Sequence, residues 1–406
     1  MNSLQAEAEK ARDQVVDFCQ RLIQTPSLPG AEDRIAGMIR AEMEQLNYDE
    51  VWVDAAGNII GLLKGDAGPS LMFNCHMDHV DPGDPVRWPV PPYAGEIVND
   101  AIWGRGSVDV KGPLAAQVYG VGLLRAAGIR PAGDIYVAAV VMEEVGGIGT
   151  QAVLETVRPD FAVVGEPTDL GVARGHRGRT ELIARVRGRP AHASAPHRGV
   201  NPHYDLACFL KTLQTLEMRT SPDFGSSTVA PTLYYTDQVS ANVIPGEAWV
   251  HLDWRNIPEE SPEEIRERLQ ALLSDCLSPE SEGFVVIPKQ TFDTYTGYTL
   301  TAPAIFPSFA LPADHPLVVS AKQTLDSALH QDTPVTIWRF ATDGGHLVEA
   351  GIPTIGFAPG DERLAHTSDE HINISDLMAA VVGNGALACD LTAKLVQKDS
   401  LFITCD

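Results

Sequence analysis

The chain has 406 residues and carries 54 acidic against 30 basic side chains, a net charge of −24. That surplus excludes a surface built to replace counterions on nucleic acid, which needs clustered cations. The length allows two domains, and a hydrophobic content of 44% supports a full core. No apolar stretch approaches the about 20 residues that span a bilayer, so no membrane partner is expected. Residues 1–10 read as the polar start of a helix rather than an apolar signal core. Cys19, Cys75, Cys208, Cys276, Cys389 and Cys405 are scattered, without a C-x-x-C pair. This pattern predicts reduced thiols and cytoplasmic residence rather than a disulfide framework.

In chain order, Val15, Val16, Phe18, Cys19, Leu22 and Ile23 predict an amphipathic helix over 14–24, ended by Pro26 and Pro29. Ile35, Met38, Ile39, Met43 and Leu46 share one face of a second helix over 32–46. Apolar runs at 70–75 (SLMFNC), 135–142 (IYVAAVVM), 161–164 (FAVV) and 354–358 (TIGFA) read as strands. Helical patterns at 111–127, 150–157, 314–329, 344–350 and 375–396 alternate with them. Such alternation predicts an α/β fold with a mostly parallel, helix-covered sheet. The middle differs: strand 180–186, helix 202–216, strands 227–235 and 247–254, helix 261–277, strand 283–288. That β-α-β-β-α-β order is the ferredoxin-like α+β signature. Residues 1–176 and 298–406 are therefore expected to form one domain, with 177–297 inserted as a lid domain.

Six side chains stand just after these strands or in a glycine-rich loop: His76, Asp109, Glu143, Glu144, Glu166 and His366. Strand C-termini are where open α/β sheets place ligands. Two imidazoles and four carboxylates with no thiolate suit Zn²⁺, Co²⁺ or Mn²⁺ better than a structural cysteine site. Asp78, two residues beyond His76 on the same face, can reach the imidazole and fix its tautomer. Asp109, in 104–112 (GRGSVDVKG), is either a helix cap or a carboxylate between two cations. Glu143 and Glu144 end a buried strand, where paired acids are costly without a cation. One can bind metal while the other acts as general base. The match of 147–152 to G-x-G-x-x-A is discounted, because the two acids would face a pyrophosphate. His79, Asp81 and Asp84 are read as the exposed continuation of the loop after His76, and Cys75 as core.

Read together, 75–78 (CHMD), 104–112 (GRGSVDVKG), 142–146 (MEEVG), 165–168 (GEPT) and 365–370 (AHTSDE) resemble the cocatalytic-zinc metallopeptidases and deacylases. That family includes acetylornithine deacetylase, succinyl-diaminopimelate desuccinylase, aminoacylase and carboxypeptidase G. In the lid, 188–202 (GRPAHASAPHRGVNP) and 240–246 (SANVIPG) match as well, so the likeness runs through nearly the whole chain. The resemblance implies a metallopeptidase domain in which His76 and Glu166 hold one metal and Glu144 and His366 the other. Asp109 would bridge two divalent ions, most often Zn²⁺, Glu143 would be the base, and Asp78 would orient His76. His192 would hydrogen-bond the oxyanion from the partner's lid, which implies a homodimer. A cis Asp109–Val110 peptide is also implied.

Seven arginines between Arg174 and Arg198, with Glu181 the only acid among them, suggest that the lid receives an anion. The bland alternative is arginines on the solvent face of strands. The resemblance favours Arg177, Asn242 and Arg255 as contacts for a substrate carboxylate, with Thr342 and Gly344 closing the pocket. The expected reaction is metal-assisted hydrolysis of an N-acyl amino acid or a small peptide with a free carboxylate. An aminopeptidase or dipeptidase on the same site is the alternative; it needs an acid for the substrate's free amine, and no residue is assigned that task. A metal-stabilised binding protein is disfavoured by Glu143 beside a full ligand set. No G-x-S-x-G elbow supports serine chemistry.

Overall fold

Four parallel strands form the centre of the main sheet, in the order Ile135–Val140, Leu71–His76, Phe161–Val164 and Thr354–Gly356. The computed structural model describes residues 2–394; the expected helix end at Val396, and Cys405, lie outside them. Parallel strands buried on both faces read as continuous apolar runs, and Leu71–His76 and Phe161–Val164 are buried at every position. Parallel pairing is concentrated in this centre. Ile59–Leu63 and Glu50–Val53 add antiparallel at one edge. Val172–His176 joins the other edge antiparallel and carries Phe309–Ala310 and Val335–Trp338.

Alternation across the pleat divides the core. Leu71, Phe73 and Cys75 pack with helices Arg12–Ile23, Gly112–Ala126 and Ile374–Lys394, while Met72 faces Val153, Trp338 and Leu347. His76 shares the parity of Met72, so Cys75 points into the core as expected. Helix Ile374–Lys394 corrects one expectation. By length and composition Ile374–Ala393 is apolar enough to cross a membrane, yet 72% of its most apolar 18-residue window is buried inside the protein. It packs on Gly112–Ala126 and Pro316–Leu329, and the approach of Gly385 to the Gly120 carbonyl leaves a Cβ only 2.8 Å. Gly383, Asn384 and Gly385 interrupt the apolar run in sequence while permitting this contact.

The second sheet is antiparallel, in the order Thr228–Thr236, Glu247–Arg255, Arg179–Arg187 and Glu282–Val286. Ile305–Phe306 adds to Arg179–Arg187 as a fifth strand. The order and the two helices, Pro202–Leu213 and Pro262–Ser274, are those of a ferredoxin-like unit. Leu182, Ala184 and Val186 turn inward onto Phe209, Trp254 and Leu269. Arg179, Arg185 and Arg187, of opposite parity, lie on the other face. Cys208 and Cys276 are joined as a disulfide, with Cα atoms 5.6 Å apart, against the expectation of reduced thiols. The two helices lie side by side, which a sequence separation of 68 between the cysteines conceals.

Gly356 tests the packing of the central sheet. A Cβ there would overlap the Trp338 ring and stand 3.2 Å from Ala173 Cβ. Gly356→Ala should cost about 1–3 kcal/mol by overpacking, read as a lower thermal midpoint; an unchanged midpoint would contradict the contact.

Candidate active site

The C-terminal ends of the central strands bring the predicted ligands together. His76 ends its strand and is buried. Its Nδ1 lies 3.0 Å from the Asp78 carbonyl oxygen, and its Nε2 lies 3.0 Å from Asp109 Oδ1 and 3.5 Å from Glu166 Oε1. A carbonyl only accepts, so Nδ1 carries a proton and the neutral ring presents its Nε2 lone pair to the acids. Burial opposes a charge on this ring, but Asp109, Asp78 and Glu166 outweigh it and push its pKa well above the usual range. The surroundings therefore call for positive charge at Nε2, whether from a proton or from a metal ion.

His366, in a left-handed backbone conformation at φ 61°, approaches from the other side. Its Nε2 is 3.1 Å from Asp109 Oδ2 and 3.2 Å from Glu144 Oε1, and these two acids raise it to about 10. Asp109 thus offers one oxygen to each histidine. Burial alone would raise its carboxyl, but His366 and His76 hold it below the usual range. The Asp109–Val110 peptide is cis.

The remaining acids are destabilised as anions. Burial, then the charges of Asp343, Glu166 and Glu144, push Glu143 well up, with His76 opposing. Burial and Asp109 raise Glu144, and burial raises Glu166 to about 7. Like-charged carboxylates sharing a dry site are relieved by a cation. Donor atoms of His76, Asp109 and Glu144 lie within 4.8 Å of one another, as do those of His76, Glu143 and Glu166. The set fits divalent ions in number, chemistry and spacing.

Three further carboxylates hold the loops. The Asp78 carboxylate is 3.5 Å from His76 Nδ1, farther than its own carbonyl, and accepts the backbone N–H of Glu143 (3.1 Å) and Glu144 (3.2 Å). Glu370 accepts from the N–H of Val108 (3.0 Å) and Asp109 (3.1 Å) and pairs with Arg105 at 2.5 Å. Glu32 accepts from the N–H of Met142, whose φ of 55° turns the chain into Glu143. Glu370 and Arg105 fall inside motifs already quoted; nothing local in the sequence marks Glu32.

A cleft of about 320 Å³ opens over Asp109, Glu143, Glu144, Glu166 and His366. Arg255 lines it as expected, together with Arg179, Phe306, Phe340 and Glu362. Arg177, Asn242, Thr342, Gly344 and His192 do not. Arg177 Nη2 donates to the Arg255 carbonyl at 2.9 Å, and Thr342 is buried with its N–H on His176 Nε2. Gly344 donates its N–H to Thr342 Oγ1. His192 is exposed, its Nδ1 2.8 Å from Ser194 Oγ, on a short ribbon beside Asn242, whose carbonyl accepts from Ala193. Much of the arginine strip is internally neutralised: Arg174 pairs with Asp223, Arg185 and Arg187 with Glu247, and Arg189 with Glu280. His79 corrects a further expectation. It is buried, its Nε2 accepting from Ser27 N–H at 3.0 Å, because the chain folds back under residues 25–30.

Comparison with known proteins identifies the family and the fold. The uncharacterized protein YgeY of Escherichia coli K12 is 30% identical over 378 residues, covering 89% of this chain and 91% of its own. A succinyl-diaminopimelate desuccinylase of Alkalilimnicola ehrlichii is 27% identical, covering 87% and 91%. Two solved structures share the fold. Aminopeptidase PepT of Bacillus cereus has TM-score 0.73 at 20% identity, covering 94% of this chain and 98% of its own. The Bacillus subtilis YXEP protein, a dinuclear metal-binding peptidase, has TM-score 0.70 at 15% identity, covering 95% and 99%. The sequence profile of peptidase family M20/M25/M40 matches residues 72–384, and the chain belongs to that family of hydrolytic enzymes.

Proposed function

We propose that the protein hydrolyses the amide bond of an N-acyl amino acid, or of a small peptide, that bears a free carboxylate. The observation that supports this best is Asp109 reaching two imidazoles, each with its own glutamate, beneath a cleft that also carries Arg179 and Arg255. The relative named as a desuccinylase supports an acylated amino acid. In this reading residues 1–176 and 298–406 are the catalytic domain and 177–297 the inserted lid, with Ile305–Phe306 of the former adding a strand to the lid's sheet.

His76 and Glu166 would hold one divalent ion, Glu144 and His366 a second, and Asp109 both, with Zn²⁺ the expected metal and Co²⁺ or Mn²⁺ substitutes. Two such ions supply Lewis acidity, making a water more acidic and a carbonyl more electrophilic. Glu143 accepts the proton of the attacking water and returns it to the leaving nitrogen. Burial raises its carboxyl above the usual range, and cations beside it would offset that rise and keep it ionised. Asp78 fixes the turn that aims Glu143, through the two backbone N–H groups it accepts. Arg255 and Arg179 are both held on Asp253, and their remaining donors receive the substrate carboxylate. His192, exposed and absent from the cleft of its own chain, would serve the oxyanion in a second copy, in a homodimer formed through the lid.

Glu143→Gln should lower kcat by about 10²–10⁴-fold while leaving about two metals per chain by elemental analysis. Retained turnover, or lost metal, would remove Glu143 from the role of base. Chelation should abolish hydrolysis and added Zn²⁺ restore it; activity that survives full metal removal would contradict the metal site.

His192→Ala should slow turnover by about 10²–10³-fold at unchanged metal content. Mixing it with Glu143→Gln protein should recover activity, because a mixed dimer then contains one complete site. Absence of recovery under conditions where the copies exchange would rule out the shared site.

A further inference from the structure

Glu362 lines the cleft, and the roles assigned above leave it without a task. It opens the short turn Glu362–Leu364, between strand Thr354–Gly356 and His366. Its side chain is 31% exposed and accepts from the backbone N–H of Arg339. The paired cationic group, Arg339 Nε, is 4.0 Å away on a side chain 90% exposed. An ion pair that long and that wet contributes almost nothing. The adjacent Arg363 is committed to Asp361, through Nε at 2.9 Å and Nη2 at 2.5 Å. A half-buried carboxylate thus faces the cleft with no strong counter-ion among the described residues.

The rest of the wall defines what would complement it. Arg179 and Arg255 present cationic donors held in place by Asp253, and Phe306 and Phe340 present apolar rings. A purely anionic substrate would be received by the arginines and repelled by Glu362. A molecule with both signs of charge and a short apolar stretch meets every part of this surface. We propose that the substrate carries an ammonium group, received by Glu362, in addition to the carboxylate that the arginines bind. This rests on the amide-hydrolase reading above and narrows its substrate class. N-acylated diamino acids and short peptides with a free amino terminus share this chemistry. Glu362 is also the acid that an aminopeptidase or dipeptidase would require.

Two matched probe pairs distinguish the sources: Nα-acetyl-lysine against Nα-acetyl-norleucine, and Ala-Leu against propionyl-Leu. The metal-loaded wild type should favour the ammonium-bearing member of at least one pair by about 10-fold or more in kcat/KM, the size of one hydrogen bond to a charged group. Glu362→Gln, which keeps the shape and loses the charge, should collapse that ratio mainly through KM. Preference within the first pair identifies a side-chain ammonium, and within the second an α-ammonium. Hydrolysis without preference, or a preference that survives Glu362→Gln, overturns the inference and leaves the amide-hydrolase reading standing. If no probe is cleaved, that reading fails. Calorimetric binding of lysine against norleucine, and of Ala-Leu against propionyl-Leu, then tests Glu362 without turnover. Tighter binding of an ammonium-bearing member that Glu362→Gln abolishes supports the role, and equal binding within both pairs refutes it.

Discussion

Negative charge buried at the end of four parallel strands is the constraint on which the rest of this molecule depends. Glu143, Glu144 and Glu166 are each raised by burial, and the two histidines oppose the crowding. Such a cluster persists only if the chain around it is fixed, because relaxation would carry the acids into water. The fixing comes from another ring of acids. Asp78, Glu32 and Glu370 take up backbone N–H groups of the segments that carry Glu143, Glu144 and Asp109. Each of these bonds is charge-assisted when the acceptor is ionised, and so stronger than a neutral one.

The parts of the site built by short-range order were legible in the sequence. A chemically active side chain at a strand terminus stands where an apolar run stops, and His76, Glu143 and Glu166 all do. Asp109 and His366 lie in loops whose motifs carried the family resemblance. The parts built by distant packing were not legible. Arg179 appeared only as one member of a basic strip, since nothing local separates it from Arg185 or Arg187, which end on Glu247. Glu362 and Phe340 become neighbours of Arg255 only when two sheets face each other across the cleft. His79 looked exposed because the segment that covers it, near Ser27, lies 52 residues earlier. The Cys208–Cys276 bridge was hidden in the same way.

Charge on the lid follows from this distinction. Seven arginines between Arg174 and Arg198 suggested a basic strip that receives an anion, but pairing along and across the strands cancels much of it. What remains at the cleft is a pair of guanidinium groups sharing Asp253, with Arg179 also bonded to Glu181 at 2.6 Å. Groups so tethered lose little rotamer freedom on meeting an anion, and that reduces the entropic cost of binding.

Glu370 has a mechanical consequence. It sits four residues beyond His366, and its carboxylate clasps the amides of Val108 and Asp109, about 260 positions earlier in the chain. The segment bearing one imidazole is thereby riveted to the loop bearing the shared carboxylate, with Arg105 closing the clasp beneath Trp88. Every component of this joint belongs to the sheet side of the cleft. A displacement of the opposite wall would leave these bonds intact, because none of the residues that form them lies on it. The spacing between the Asp109 and His366 segments is thereby set independently of the opposite wall of the cleft.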